Sequence, residues 1–333
     1  MFKKLFSFLL ATALVLPGLA SAQDKPTIQL GFAKCAHCLP MALTPDYTKA
    51  INIDAINFNS GNDVLTALIS KSIDVAQVTY LHYVAALDKG FDIVAISGQV
   101  NGGSEILFRK DVPLKAGDWD GLKKLIAQYK AEGKPFRVAA SRGNAQDIHM
   151  RGEFMLHGID PDKDIEFVNI PNPSDHDAAL KRGEIEMVCT VEPFASQIRL
   201  AGDGKHFALP YDQAAGNLTN LIVTRSDVIK DKRPAVLETV RAVVKLVDAL
   251  KTDHKMWVDV IRKYTAMDPT IADAALKNAF PDYEMHRKQA EAIAKMMLSL
   301  HYVSHDVTAD VDKHMDYSFL SEVTGKPKTE LGY

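Results

Sequence analysis

The sequence is short of cysteine, of net charge and of long apolar runs, and each shortage closes off a class of protein. Three cysteines in 333 residues are too few for a small domain built on disulfides. The 39 Lys and Arg against 42 Asp and Glu leave a formal charge of −3, so no strong positive field exists to hold a nucleic acid. Beyond residue 22 no stretch approaches the ~20 apolar residues of a membrane-spanning helix. Catalytic signatures are missing too. There is no Gly-x-Ser-x-Gly elbow, no phosphate-loop Gly-Lys-Ser/Thr, no His-Glu-x-x-His and no Gly-x-Gly-x-x-Gly, which lowers the expectation of catalysis. What remains is ordinary globular composition, 47% hydrophobic and 24% charged with 19 Gly and 15 Pro, long enough for two compact units.

The single long apolar run, Leu5 to Leu16, follows Lys3 and Lys4. Pro17 and Gly18 break it before the small residues Ala20-Ser21-Ala22. This is the pattern of a secretory signal peptide over residues 1–22, with Gln23 as the mature start. No cysteine stands at the cleavage point, which argues against a lipid anchor. An exported, water-soluble protein with few cysteines fits a bacterial periplasm.

After residue 23 strand and helix patterns alternate. Thr27–Phe32, Ile53–Phe58, Asp74–Thr79 and Asp92–Ser97 read as strands, with helices from Asp63 to Ile69 and up to Asp88 between them. Ile106–Arg109 is extended. A second series runs through a helix at Trp119–Ala131, strands at Phe136–Ser141, Ile165–Ile170 and Ile185–Thr190, and helices through Leu156, over Asp175–Lys181 and over Glu192–Leu200. Asn220–Arg225 is a further strand. Pro234–Leu250, Lys255–Tyr264, Pro269–Phe280 and Arg287–Leu300 carry helical spacing. The order predicts an α/β protein whose mostly parallel sheets are flanked by helices. The segment Ser70–Ala76 is echoed by Lys181–Met187, which suggests two related lobes.

Two features carry chemistry. The first is a pair of cap-rich turns, Asn59-Ser60-Gly61-Asn62 and Ser141-Arg142-Gly143-Asn144. Each leads from a strand into a helix, where free N–H groups and the helix dipole attract anions. Such turns lie beyond the strand ends, where open sheets bind ligands. Arg142 would add a charge-assisted contact. The second is Cys35-Ala36-His37-Cys38-Leu39-Pro40-Met41, after the first strand. A Cys-x-x-Cys in an oxidising compartment forms a local disulfide most simply. Thiolate, imidazole and thioether together also suit a soft metal such as Cu(I) or Zn(II), and the sequence leaves both open. Leu39 after the second cysteine excludes haem attachment. Cys189 ends a strand and is either cleft-facing or a small buried residue. His149 and Glu153, four apart on one helix, make either a metal pair or a polar face.

The chain resembles the periplasmic substrate-binding proteins of ABC importers, in particular the NMT1/THI5-like group of nitrate, sulfonate, taurine and thiamine-precursor binders. The resemblance rests on Leu30-Gly31-Phe32, Asn59-Ser60-Gly61, Ile73-Asp74-Val75-Ala76, Asn101-Gly102-Gly103-Ser104-Glu105, Gly158-Ile159-Asp160-Pro161, Ala178-Ala179-Leu180 and Val191-Glu192-Pro193-Phe194. It implies a type II two-lobed fold with a helical C-terminal tail, divided at 23–108, 109–215 and 216–333. The cysteine segment departs from the small or polar residues usual in that first ligand loop. The resemblance further implies a non-enzymatic monomer without cofactor, partnered by a small-molecule ligand and an inner-membrane permease. Hinge closure over a small organic anion is the expected mechanism. The expected ligand contacts are Cys35, His37, Cys38, Asn59, Ser60, Thr79, Tyr80, Ser104, Ser141, Arg142, Asn144 and Glu192. Capture of a metal or metal complex through Cys35, His37 and Cys38 is the rival binding reading. A pyrimidine-synthesis-like enzyme of the same fold is the rival catalytic one.

Overall fold

Strand β1 (Thr27–Ala33) buries Ile28, Leu30 and Phe32 on one face, as their alternate spacing dictates. The computed structural model to which it belongs describes residues 25–333, and the expected leader of residues 1–22 lies outside them. After β1 the chain forms a 3-10 segment (Leu39–Tyr47), then β2 (Asn52–Phe58), α1 (Gly61–Ile69), β3 (Val75–Thr79), α2 (Tyr80–Asp88) and β4 (Ile93–Gly102). Next come β5 (Ser104–Arg109), α3 (Trp119–Ala131), β6 (Arg137–Ala140), α4 (Ala145–Leu156), β7 (Glu166–Asn169), α5 (His176–Lys181), β8 (Met187–Val191), α6 (Phe194–Ala201) and β9 (Gly204–Ala208). The return is made by β10 (Asn220–Arg225), α7 (Ser226–Leu250), α8 (His254–Thr265), α9 (Pro269–Ala275), β11 (Ala279–Asp282), α10 (Arg287–Ser299), α11 (Thr308–Lys313) and α12 (Ser318–Thr324).

The strands make two sheets, in the order β11-β4-β10-β3-β1-β2 and β7-β6-β8-β5-β9. Each has a parallel core, β3-β1-β2 in the first and β7-β6-β8 in the second. The strands that carry the chain between lobes, β5 and β10, run antiparallel to their neighbours.

The second sheet alternates between two cores, as a pleat dictates. Ile106, Phe108, Val138, Met187 and Cys189 face one cluster, and Leu107, Ala139 and Val188 the other. Cys189 is therefore a small buried core residue, its thiol pushed up by burial. The first lobe has a larger core that takes in α7, α8, α10 and the C-terminal segments.

Three expectations are corrected. The first crossing falls at Gly102-Gly103 and not at residue 108, because β5 pairs with β8 and β9 of the second sheet. Both glycines have positive φ (91° and 83°), a turn that a side chain would oppose. The helix expected over Pro269–Phe280 stops at Ala275, because Ala279–Asp282 adds to the sheet edge beside β4. Finally, α7 starts at Ser226, eight residues before Pro234. It carries a non-helical residue at Lys232 (φ −132°), two before the proline, where a missing N–H and ring crowding break helices.

Candidate functional site

The helices that follow β2, β3 and β6 start at one place between the lobes. Ser60 caps α1, its Oγ accepting the Asp63 N–H at 3.3 Å and donating to Asp63 Oδ2 at 2.8 Å. Thr79 caps α2, with Oγ1 accepting the His82 N–H at 3.3 Å. Its own N–H donates to His82 Nδ1 at 3.2 Å, so Nε2 carries the proton and donates to Asn62 Oδ1 at 3.0 Å. Asn144 precedes α4 in the second lobe, and its side chain makes no cap bond. The lobes meet closely here: a Cβ on Gly61 would stand 3.1 Å from Asn144 Oδ1.

Between these ends lies a chamber of about 40 Å³, lined by Cys35, His37, Cys38, Asn59, Ser60, Thr79 and Asn144 among others. By the same measure a water needs roughly 10–15 Å³, so the chamber holds a group of about three or four heavy atoms. It shares Lys34, Asn59 and Pro173 with an outer vestibule of about 600 Å³, whose walls include Phe194, Met267 and Ile271. Among the described residues no carboxylate lines the chamber, and Lys34 is the one lysine or arginine that does.

The cysteine segment forms one wall. Cys35 and Cys38 are joined in a disulfide, Cα to Cα 5.0 Å. The loop is fixed from both lobes. Trp257 Nε1 donates to Ala36 O at 2.8 Å, and Ala36 N donates to Glu192 O at 2.9 Å. His37 between the sulfurs is buried, with Nε2 3.4 Å from Cys35 Sγ. Its Nδ1 has no hydrogen-bond partner among the described residues. Burial, helped by nearby His149, holds its pKa down at about 3, so the imidazole is neutral. Gly103 lies against this ring, where any Cβ would collide with it.

Of the remaining expected contacts, Ser104 stands behind the chamber. Its Oγ donates to His149 Nδ1 at 3.0 Å, and His149 Nε2 in turn donates to Leu218 O. His149 thus braces the returning crossing and does not pair with Glu153. Besides Ser104, four further expected contacts do not line the chamber. The Tyr80 hydroxyl donates to Met285 O at 2.6 Å inside the first lobe. Ser141 Oγ holds the loop ahead of Pro173 through Ile170 O and Pro171 O. Arg142 is exposed, its guanidinium 4.6 Å above the Phe167 ring. The Glu192 carboxylate turns away, accepting from Ser196 N and Oγ at 3.0 Å, with Arg199 at 3.5 Å. Burial and then the neighbouring Glu105 push its pKa up to about 7.

Sequence reasoning missed Lys34, Gln77, Gln146, Pro173 and Val191 in the lining. Gln77 did carry a signal: it is a polar residue inside a strand that is otherwise buried and apolar.

The NMT1-like family matches residues 21–261. The chain is 25% identical over 307 residues to a putative binding protein, YtlA, of Bacillus subtilis (strain 168), covering 85% of this chain and 82% of that one. Its fold is similar to the periplasmic nitrate-binding protein NrtA of Synechocystis PCC 6803. There the TM-score is 0.78 at 16% identity, over 92% of this chain and 91% of that one. The periplasmic aliphatic sulphonate binding protein SsuA of Escherichia coli superposes with a TM-score of 0.70 at 15% identity, over 88% and 92% of the two chains. No helix among the described residues is long and apolar enough to cross a membrane.

Proposed function

This chain belongs to the NMT1-like family, and on that premise we propose that it is the extracytoplasmic solute-binding component of an ABC importer, taking a small organic anion. The observation that carries the reading is the meeting of three helix N-termini, α1 and α2 from one lobe and α4 from the other, at a chamber without carboxylates. Free N–H groups and helix dipoles at such ends favour negative charge. Ser60, Thr79, Asn144 and Gln146 add neutral polar groups, and Lys34 adds a full positive charge at the mouth. The two volumes divide the ligand. A compact headgroup, carboxylate- or sulfonate-like, occupies the chamber, and the body extends into the partly apolar vestibule.

Both lobes supply walls, so the ligand's affinity for the closed form exceeds that for an open one. That difference shifts the equilibrium toward closure. The closed, loaded monomer is the form handed to the permease at the periplasmic face. The metal reading is weaker, because the disulfide occupies both sulfurs that would have served as thiolates. Mass spectrometry of protein purified from the periplasm under non-denaturing conditions tests the proposal. A co-purifying small anion is the expected outcome, and a co-purifying amine or a metal bound at the disulfide loop would overturn it.

A further inference from the structure

Among the described residues, buried carboxylates have cations beside them, with one exception. Asp147 lies 2.8 Å from Arg151, Glu186 lies 2.7 Å from Arg137, Glu105 lies 2.9 Å from Arg199, and Glu192 lies 3.5 Å from the same arginine. Glu153, equally buried on α4, has no lysine or arginine within ion-pair reach among the described residues. Its neighbours are His157, one helical turn on, and Asp212 on the segment that returns to the first lobe. One ligand atom from each of the three lies within 4.8 Å of the other two. A second acid therefore faces a buried acid. Buried charge left in this way is normally paired or bound to metal.

The histidine is arranged to serve as the third ligand. Its ring stacks on Trp119 with centroids 3.9 Å apart and planes 9° from parallel, which fixes its orientation. Nε2 lies 3.4 Å from Glu153 Oε1, and no hydrogen bond forms there. The other oxygen, Oε2, accepts the Gln213 N–H at 3.3 Å. Glu153 is thus already oriented from behind, as ligating carboxylates are. Asp212 is exposed, so the open side of the cluster faces solvent and an ion has an entry path.

We propose that Glu153, His157 and Asp212 form a Zn²⁺ site that clamps the returning crossing segment to α4. One imidazole and two carboxylates suit zinc with a water in the fourth position. Bonds of 2.0–2.2 Å in a tetrahedron put ligand atoms about 3.3–3.6 Å apart. Small rotations of the exposed Asp212 side chain, together with the existing 3.4 Å approach of His157 to Glu153, close the present spacing. The site is separate from the chamber and does not depend on what the chamber binds.

The test is titration calorimetry of Zn²⁺ into chelator-treated full-length protein with the disulfide intact, together with thermal melts. One zinc per chain and a raised melting temperature are expected. The exposed, conservative Asp212→Asn variant should bind zinc about ten-fold or more weakly, and His157→Gln likewise, while both melt normally without metal. Cobalt substitution gives a second readout, since a tetrahedral Co²⁺ spectrum should appear in the parent and be lost in His157→Gln. Absence of stoichiometric zinc overturns the proposal, as does unchanged affinity in both variants. Zinc uptake only after reduction of Cys35–Cys38 would place the metal at the chamber and overturn it too.

Discussion

Glu192 of the second lobe accepts, on its main-chain oxygen, the Ala36 N–H of the first at 2.9 Å. Ala36 lies inside the disulfide loop, so one hydrogen bond joins the chamber wall to the opposite lobe. A change in the shape of that loop is therefore expected to alter the contact between the lobes.

Protein taken from the periplasm should show one thiol after unfolding, from Cys189. Reduction, or the double change Cys35→Ser and Cys38→Ser, should lower ligand affinity markedly. So short a loop contributes about 2 kcal/mol or less in chain-entropy terms, so melting should fall by only a few degrees. A large drop in melting temperature with unchanged binding would make the disulfide a folding staple.

The seam holds a second link. The Tyr302 hydroxyl, from the segment packed on the first lobe, donates to Asp147 Oδ2 on α4 of the second. Asp147 keeps Arg151 at 2.8 Å and the Gly143 N–H at 3.2 Å when the tyrosine is removed. Tyr302→Phe should therefore fold normally yet favour the open form. A hydrogen bond to a charged group is worth roughly 1.5–3 kcal/mol, so affinity should fall about ten- to a hundred-fold. Calorimetry reads the affinity, and small-angle scattering should show a more extended apo particle. Unchanged affinity would mean that this contact persists in the open form.

Arg142 supplies the opposite kind of test. Its guanidinium sits on Phe167 at the surface and is not among the chamber residues. Arg142→Ala should bind the ligand with full affinity in the same titration. A ten-fold loss would bring its charge into the site.

Much of this was legible in the sequence. Helix α3 was read to the residue, because a capping aspartate, an amphipathic run and a glycine after it all agree. The turns at Asn59–Asn62 and Ser141–Asn144 are legible because cap-rich residues mark where a strand hands over to a helix. Side-chain direction was not legible. Glu192 and Arg142 stand in the right turns, but Ser196 with Arg199 and the Phe167 ring draw them away. The edge strand β11 was hidden as well, because its local pattern is helical and only long-range pairing with β4 makes it extended.

Stability should fall on the acid side. Burial holds His37 at about 3, and His82, His149 and His176 at about 4. In each case the unfolded chain, with an ordinary value near 6.5, takes up protons first, so stability rises with pH up to about 6.5 and is lost below it. Glu192, raised to about 7, acts in the opposite sense between about 4.5 and 7, and Glu153, raised by burial, and His286, raised by its hydrogen bond to Asp282, act the same way, but the four deeply buried imidazoles outweigh these three. Denaturant melts at pH 7.5, 6 and 5 should show a steady decline. A flat profile would mean that these imidazoles titrate normally. Ligand affinity, by contrast, should stay level from pH 8 to 5, since His37 remains neutral throughout.

Titration calorimetry with paired ligands tests the central claim most directly. Compact monoanions (nitrate, formate, methanesulfonate and longer carboxylates or sulfonates) are compared at pH 7 with amines of matching size, using protein stripped of bound ligand. The geometry predicts one site per chain, heat with anions only, and tighter binding when a headgroup of three or four heavy atoms carries a body that reaches the vestibule. Heat from the amines alone, or binding of anions that survives Asn144→Ala and Lys34→Ala together, would contradict it.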